Sequence, residues 1–171
     1  MNKKKLFIMC AAPGAGKSTW IRDHLHSFKG YTAVISRDSI RFDMVAEDEE
    51  YFSKENQVYE KFVKDLKDGL EHCDNTIADA THISSTSRRK LLKSLGKDLF
   101  NIEVNIIVID TCLAKCLEQN ELRAGTRSYV PQGAIRRMFE QFEMPTLEEG
   151  FDNIYIYRKI GDRIIYEIQR R

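Results

Sequence analysis

The stretch Ala11-Ala12-Pro13-Gly14-Ala15-Gly16-Lys17-Ser18-Thr19 decides the fold of this chain. An apolar run, Lys5 to Cys10, precedes this glycine-rich loop and predicts a buried strand, and Lys17 to Phe28 predicts an amphipathic helix. A loop of this kind points successive backbone N–H groups and the helix N-terminus at one place, which suits a chain of phosphates. The order strand, loop, helix therefore predicts a nucleoside triphosphate site.

The loop differs at one position from the pattern G-x-x-x-x-G-K-[ST], because Ala11 replaces the first glycine. In that pattern Lys17 reaches the β- and γ-phosphates, and the hydroxyl of Ser18 binds Mg²⁺. The alternative is a simple tight turn, which the neighbouring strand and helix disfavour. The predicted nucleotide contacts are Ala12, Pro13, Gly14, Ala15, Gly16, Lys17, Ser18 and Thr19.

Length and composition favour one globular domain over residues 1–171, with 42% hydrophobic and 31% charged residues. A net charge of +1 gives no general attraction for nucleic acid, so a polyanion has to be bound by a local cluster. The four cysteines form no C-x-x-C pair, which favours a reduced, cytoplasmic setting. No segment approaches membrane-spanning length, so we expect no membrane partner.

Two further predicted strands lead into acidic residues. Thr32 to Ser36 is followed directly by Asp38 and Arg41, and Asn75 to Asp79 ends on a carboxylate. Ligands of parallel α/β sheets lie at the carboxyl ends of the strands, so these side chains are expected beside the glycine-rich loop. Asp79 matches the carboxylate that holds Mg²⁺ or its water in such sites, and its alternative is a plain turn residue.

Two helices are predicted in the middle of the chain. The first runs from Ser53 or Lys54 to His72, with Ser53 as a candidate N-cap and an apolar stripe for the core, and the acidic run Glu47 to Glu50 precedes it. The second begins at Ser84 or Ser85 and carries Arg88-Arg89-Lys90 in its first turns. Because cations there oppose the helix dipole, we expect them to face solvent rather than an anionic partner.

The remaining strands complete the predicted sheet. Ile102 to Asp110 predicts a central buried strand, and Asn153 to Gln169 predicts two strands around Ile160-Gly161-Asp162. Strands that alternate with helices predict a three-layer α/β/α fold with a mainly parallel sheet.

A short basic segment, residues 123–131, lies between two more predicted helices, Thr111 to about Arg123 and Pro131 to Phe142. Its position and its two arginines, Arg123 and Arg127, suit a lid that closes over phosphates. The alternative is a simple connection between the helices. We refer to residues 123–131 as the lid segment.

The D-x-x-G and N-K-x-D segments of a GTPase do not occur in the sequence, which favours phosphoryl transfer to an acceptor. That reaction needs a metal, cations and one base for the acceptor hydroxyl. Asp38 is the predicted base, and Arg41 can hold an acidic group on the acceptor. The structural alternative is an N-cap aspartate with an exposed arginine partner.

Together these residues resemble the kinase domain of 5′-polynucleotide kinases, a family of P-loop kinases that includes end-repair enzymes. The resemblance covers most of the chain in the same order and rests on five motifs: Pro13 to Trp20, Ser36-Arg37-Asp38 with Arg41, Asp79-Ala80-Thr81, the lid segment, and Phe142 to Phe151. The patterns R-D-x-x-R and F-E-x-P-T-x-E-E-G-F are its most specific parts.

The resemblance implies that the γ-phosphate of ATP is transferred to a 5′-hydroxyl end of DNA or RNA. It implies catalytic roles for Lys17 and Asp38, and it implies that Arg123 and Arg127 clamp the donor phosphates. Which of the two arginines is the clamp stays open, because their spacing departs from the family pattern.

The same resemblance implies that Arg41 meets the acceptor phosphate next to the attacked sugar, with Asp38 and Thr81 on the same side. Asp79 would support Mg²⁺ beside Ser18. His82 follows Asp79-Ala80-Thr81, where many relatives have asparagine, and it is assigned no catalytic role.

Two other functions stay open at this point. The acceptor of the same reaction can be a nucleoside, a sugar or another small metabolite, which the near-neutral charge, the acidic run and the lack of an obvious aromatic, basic groove favour. The chain can also be an ATP-binding interaction module in which Asp38 is idle.

Overall fold

The computed structural model describes residues 3–161 and 163–171 and contains one six-stranded sheet. Its strands are Lys5–Cys10 (β1), Thr32–Ser36 (β2), Asn75–Asp79 (β3), Glu103–Asp110 (β4), Asn153–Ile160 (β5) and Arg163–Arg170 (β6). The order is β2-β3-β1-β4-β5-β6, and only the pairing of β5 with β6 is antiparallel. The predicted strands and the mainly parallel sheet are confirmed, and Asp162 of the predicted turn lies outside the described residues.

Six α-helices cover the sheet: Lys17–His24 (α1), Arg37–Met44 (α2), Glu55–His72 (α3), Ser85–Leu95 (α4), Leu113–Glu121 (α5) and Gln132–Glu140 (α6). Two apolar cores divide them between the two faces. One core takes side chains from α2, α3 and α4, and the other takes them from α1, α5 and α6. The predicted three-layer α/β/α fold is confirmed.

The alternation of side chains along β1 explains how one strand serves both cores. Leu6 and Ile8 point into the core beneath α3, whereas Phe7 and Met9 point into the core beneath α1. A strand that is apolar on both faces has to lie inside the sheet, and β1 lies between β3 and β4. The glycine-rich loop that follows β1 therefore opens at the middle of the sheet's carboxyl edge.

The two predicted serine N-caps have different outcomes. Ser84 caps α4, because its Oγ accepts a hydrogen bond from the N–H of Ser87. The prediction that Ser53 caps α3 is wrong, since Lys54 is the N-cap residue and makes no side-chain capping bond. Its ammonium group donates instead to the carbonyl of Met44, which ties the start of α3 to the end of α2.

The expectation that Arg88 faces solvent is also wrong. Its side chain is completely buried, and its guanidinium donates through Nε and Nη2 to the two carboxylate oxygens of Glu149 at 2.7 and 2.8 Å. Nη1 donates to the carbonyls of His82 and Glu143. A paired carboxylate offsets the unfavourable interaction of this cation with the helix dipole. The arginine joins the start of α4 to the distant segment 143–149.

In the part of the chain that the structure describes, no helix has the length and apolar character needed to cross a membrane.

Candidate functional site

The glycine-rich loop is shaped by two glycines and braced by α5. Gly14 and Gly16 have φ of 78° and 100°, a region that L side chains rarely adopt. A Cβ on Gly14 would lie 2.3 Å from the carbonyl oxygen of Cys116. The hydroxyl of Thr111 donates to the carbonyl of Ala15 at 3.0 Å. The loop is therefore held by Thr111, which follows β4, and packs against Cys116 of α5.

The replacement of the first glycine by Ala11 is accommodated because this residue directly follows β1 and is held by a backbone hydrogen bond. Ala11 is fully buried, and its N–H donates to the carbonyl of Thr81 at 2.9 Å. Its φ is not among the positive values of the described residues, so nothing at this position requires glycine. The departure from the motif leaves the loop geometry intact.

Lys17 and Asp79 meet beneath the loop. Lys17 Nζ lies 3.3 Å from Asp79 Oδ1, and both side chains are mostly buried. Asp79 Oδ1 has no directed hydrogen bond in this position, which leaves a buried carboxylate oxygen with unused accepting capacity. This orphaned oxygen is chemically suited to a magnesium ion or to a water bound to one.

A magnesium ion fits the residues that are present at the loop. Mg²⁺ keeps several waters and needs only one or two protein ligands beside substrate phosphates. Ser18 is exposed at the start of α1 and Asp79 supplies the orphaned oxygen, whereas no group of three or more His, Cys, Asp or Glu side chains among the described residues forms a metal cage. The ion would therefore be held largely by the nucleotide.

The second half of the site follows β2. Ser36 caps α2, and this short helix carries Asp38 in its first turn and Arg41 one turn later. Arg41 Nη1 donates to Asp38 Oδ1 at 2.6 Å. The Asp38 side chain is 60% exposed and that of Arg41 only 6%, so the carboxylate faces solvent while the cation lies behind it. The alternative of an exposed arginine partner is wrong.

Two further side chains complete what we call the acceptor cluster, which consists of Asp38, Arg41, Tyr51 and Glu55. Arg41 Nη2 donates to Glu55 Oε2 at 2.7 Å, and the Tyr51 ring lies 4.7 Å from the guanidinium carbon. The Tyr51 hydroxyl donates to Asp38 Oδ1 at 3.3 Å, and burial, with Asp38 nearby, raises the pKa of Tyr51. Asp38 is thus held by two donors that stay protonated at neutral pH.

Sequence reasoning missed Tyr51 and Glu55. Glu55 begins α3, and it also pairs with Arg37 at the start of α2, so one carboxylate joins the two helices. The position of Glu55 in the first turn of a helix was visible in the sequence. An acidic residue there is already explained by the helix dipole, so its role as a partner of Arg41 was not apparent.

Thr81 and His82 lie directly behind the glycine-rich loop. Thr81 is half-buried, and its carbonyl accepts the N–H of Ala11. His82 is buried with a φ of 42°, and its Nδ1 donates to the carbonyl of Met9 at 3.0 Å. Burial lowers the pKa of His82 to about 4, so the ring is neutral at physiological pH and supports the loop from below.

The lid segment consists of turns between α5 and α6, and its two arginines lie in different surroundings. Arg127 donates to the carbonyls of Phe42 and Val45 at 3.2 and 2.6 Å, and its guanidinium carbon lies 4.8 Å from the Phe42 ring centre. Arg123 is half-buried and takes part in the lid turn through its carbonyl, which accepts the N–H of Thr126. Arg127 therefore ties the lid segment to the end of the helix that carries Asp38.

The predicted site residues fall into three groups. These are the glycine-rich loop with Lys17, Asp79 and Thr81, the pair Asp38 and Arg41 in the acceptor cluster, and the lid segment tied to α2. This arrangement of a central strand, glycine-rich loop and helix is matched by the profile of the AAA domain family over residues 6–145. The chain belongs to this AAA domain family. Its six-stranded sheet and helices give it a P-loop kinase fold.

Solved structures with the same fold include enzymes with different acceptors. A chain of the Pnkp1/Rnl/Hen1 RNA repair complex superposes with a TM-score of 0.70 and 22% identity, over 82% of this chain and 44% of that one. A fungal RNA kinase gives 0.62 and 12%, over 95% and 78%. A gluconokinase from Sinorhizobium meliloti 1021 gives 0.58 and 12%, over 92% and 84%.

The chain spans less than half the length of the chain that it matches in the RNA repair complex, and likenesses at these identities establish the fold alone. Comparison with curated proteins finds no match.

Proposed function

We propose that this chain is an ATP-dependent kinase that transfers the γ-phosphate to the 5′-hydroxyl end of DNA or RNA. The observation that carries the proposal is the exposed carboxylate of Asp38, held by Arg41 and Tyr51 at the carboxyl end of β2. A carboxylate in this position, at the same edge of the sheet as a glycine-rich loop, suits a base for an attacking hydroxyl.

The donor half would be formed by the glycine-rich loop. Its N–H groups and the start of α1 cradle the phosphates, and Lys17, now 3.3 Å from Asp79 Oδ1, turns toward the β- and γ-phosphates when they arrive. Ser18 and Asp79 would hold Mg²⁺, which neutralises charge on the transferred group.

The acceptor half would be formed by Asp38 and Arg41. As the acceptor oxygen bonds to the γ-phosphorus and the bond to the β-phosphate oxygen breaks, Asp38 takes the hydroxyl proton. Arg41 Nε is buried without a hydrogen-bond partner, so it can donate to an acidic group on the acceptor, such as the adjacent phosphate, only if the side chain moves. Thr81 would lie on the same side, behind the loop.

Arg123 and Arg127 would act when the lid segment closes. Arg127 is bonded to carbonyls of α2, so a contact with phosphates requires that it exchange these partners. Arg123 has no such anchor among the hydrogen bonds of the described residues, and it is the better candidate for the first contact with the donor. Arginine contacts of this type stabilise the charge that spreads over the transferred group.

Incubation of the chain with labelled ATP, Mg²⁺ and a panel of 5′-hydroxyl DNA, 5′-hydroxyl RNA and small alcohols tests the proposal. We expect label on the 5′ ends of oligonucleotides and its removal by a phosphatase. The absence of label from DNA and RNA of all lengths would overturn it.

A small-metabolite acceptor is the second candidate, and a specific observation favours it. Glu47 to Glu50 are all exposed and directly precede Tyr51 of the acceptor cluster, where they repel a long polyanion. Affinity for oligonucleotides that falls steeply with salt would count against this candidate, because it would reveal several phosphate contacts.

A further inference from the structure

Phe52 places an exposed aromatic ring on the acceptor side of the site. The residue is 59% exposed, although its ring is held in place from two directions. The Tyr51 ring meets it edge to face at 4.8 Å, and the guanidinium carbon of Arg41 lies 5.4 Å from its centre. Because Arg41 also donates to Asp38, a single guanidinium separates the Phe52 ring from the candidate base.

An open surface depression of about 240 Å³, which we call the cavity, lies beside this ring. It is lined by the consecutive residues Phe52, Ser53, Lys54, Glu55, Asn56 and Gln57. The amides of Asn56 and Gln57 are exposed and offer both donors and acceptors. The ammonium of Lys54 is already bonded to the carbonyl of Met44 and to Glu49. The cavity therefore presents an aromatic face and neutral amide groups. Its two charged lining residues are engaged elsewhere, because Glu55 pairs with Arg37 and Arg41 and Lys54 is bonded as described.

We propose that Phe52 and this cavity bind the nucleobase of the nucleotide that carries the accepted 5′-hydroxyl. This inference rests on the proposed function. It adds that the protein recognises the acceptor by its terminal nucleobase. A base stacks on an aromatic ring whatever its sequence, and amide side chains pair with base edges. A sugar acid has no planar ring to stack, so this surface distinguishes a nucleotide end from a small alcohol.

The charges around the cavity limit recognition to the terminal nucleotide. The exposed acidic run at Glu47 to Glu50 adjoins Tyr51 and Phe52, and it opposes a phosphate chain that continues past the cavity. Stacking and base-edge contacts are unaffected by this repulsion. The acceptor is thus held by its first base and by Arg41 rather than by a basic groove.

A double-mutant cycle between protein and acceptor tests the inference. Phe52→Ala is paired with a 5′-hydroxyl oligonucleotide whose first residue is abasic. With wild-type protein, loss of the base should raise KM about tenfold, in line with one base–aromatic stack, with kcat nearly constant. Phe52→Ala should raise KM for the intact acceptor by a similar factor and leave KM for the abasic acceptor unchanged, and Phe52→Trp should restore it.

Phe100→Ala is the matched control, because Phe100 is 81% exposed and lies just before the amino end of β4, whereas the site lies at the carboxyl ends of the strands. It should leave KM for both acceptors unchanged. Equal effects of Phe52→Ala on intact and abasic acceptors would show that the ring does not touch the base and would overturn the inference.

An acceptor with 2-aminopurine as its first base separates this inference from the proposed function. Stacking should quench its fluorescence with wild-type protein and with Phe52→Trp, but not with Phe52→Ala. Quenching without phosphorylation would overturn the proposed kinase activity and keep the base site. Phosphorylation without quenching would overturn the base site and keep the kinase.

Discussion

Two buried arginines, Arg41 and Arg88, pair with glutamates at 2.7 Å and yet belong to different kinds of site. The partner of Arg88, Glu149, is 17% exposed, and Nη1 of Arg88 donates to two backbone carbonyls. Arg41 shares its charge between Glu55 and Asp38, and the Asp38 side chain is 60% exposed. A cation whose partners are all enclosed stabilises the fold, whereas one that holds an exposed carboxylate keeps that carboxylate available for chemistry.

The largest expected effect tests the chemical side of this comparison. Asp38→Asn keeps the size of the side chain but removes the proton acceptor, so kcat should fall by about 10²–10⁴ while ATP affinity is retained. Steady-state kinetics and equilibrium ATP binding measure the two quantities. Asp43→Asn is the control, because Asp43 is exposed on the same helix, and it should change neither kcat nor ATP affinity. Unchanged turnover in Asp38→Asn would show that Asp38 is not the base.

Replacement of each arginine by methionine tests the structural side. Arg88→Met leaves Glu149 and two carbonyls unpaired in the interior and should lower the free energy of unfolding by about 3–5 kcal/mol. Arg41→Met should cost about 1–2 kcal/mol, since water reaches Asp38 and Glu55. Urea denaturation at neutral pH measures both. Equal losses would show that the exposure of the partners does not separate the two sites.

The pH dependence of stability reports on the enclosed region around Arg88. His82, whose carbonyl accepts from Arg88, has its pKa lowered to about 4 by burial, against about 6.5 in the unfolded chain. Above pH 6.5 the ring is neutral in both states. As the pH falls from 6.5 toward 4, His82 becomes protonated in the unfolded chain but stays neutral in the folded protein. This difference lowers the free energy of unfolding by up to about 3 kcal/mol.

His82→Asn should abolish that loss, because asparagine cannot titrate and tolerates the positive φ of 42°. The free energy of unfolding of this variant, relative to wild type, should therefore rise as the pH is lowered from 6.5 to 4. Denaturation experiments at several pH values measure it. A constant difference across this range would mean that the buried ring becomes protonated without unfolding.

The smallest effect is one of reactivity. An arginine beside a cysteine usually favours the thiolate, but burial raises the pKa of Cys10 to about 12 despite Arg88 at 4.0 Å. Iodoacetamide at pH 8 should therefore modify the exposed Cys112 and spare Cys10 until denaturant is added. Mass spectrometry of the labelled peptides gives the ratio. Rapid labelling of Cys10 in the folded protein would show that burial does not protect this thiol.

The layers of the fold were predictable because they follow from local periodicity. The stripe of Val58, Phe62, Leu66 and Leu70 is buried as its spacing indicates. The two-sided apolar pattern of β1 and β4 places them inside the sheet. The N-cap of α3 was not predictable from Ser53 alone, because the tether from Lys54 to Met44 decides where that helix begins.

The site was predictable only where its residues share a short motif. Asp38 and Arg41 lie one helical turn apart, so their contact follows from helix geometry. Arg88 and Glu149 are 61 positions apart, and the dipole argument that assigned Arg88 to solvent concerns one helix only. Tyr51 and Glu55 reach Arg41 only after α3 packs against α2, a contact that no local pattern specifies.

The donor and acceptor halves lie on strands with different amounts of support. β1, which leads into the glycine-rich loop, is flanked by β3 and β4, whereas β2, which leads into α2, is an edge strand paired with β3 alone within the described sheet. Substitutions around β2 and α2 can accumulate without disturbing the strand that carries the loop. We therefore expect substitutions near β2 to alter the proposed acceptor side more readily than the glycine-rich loop.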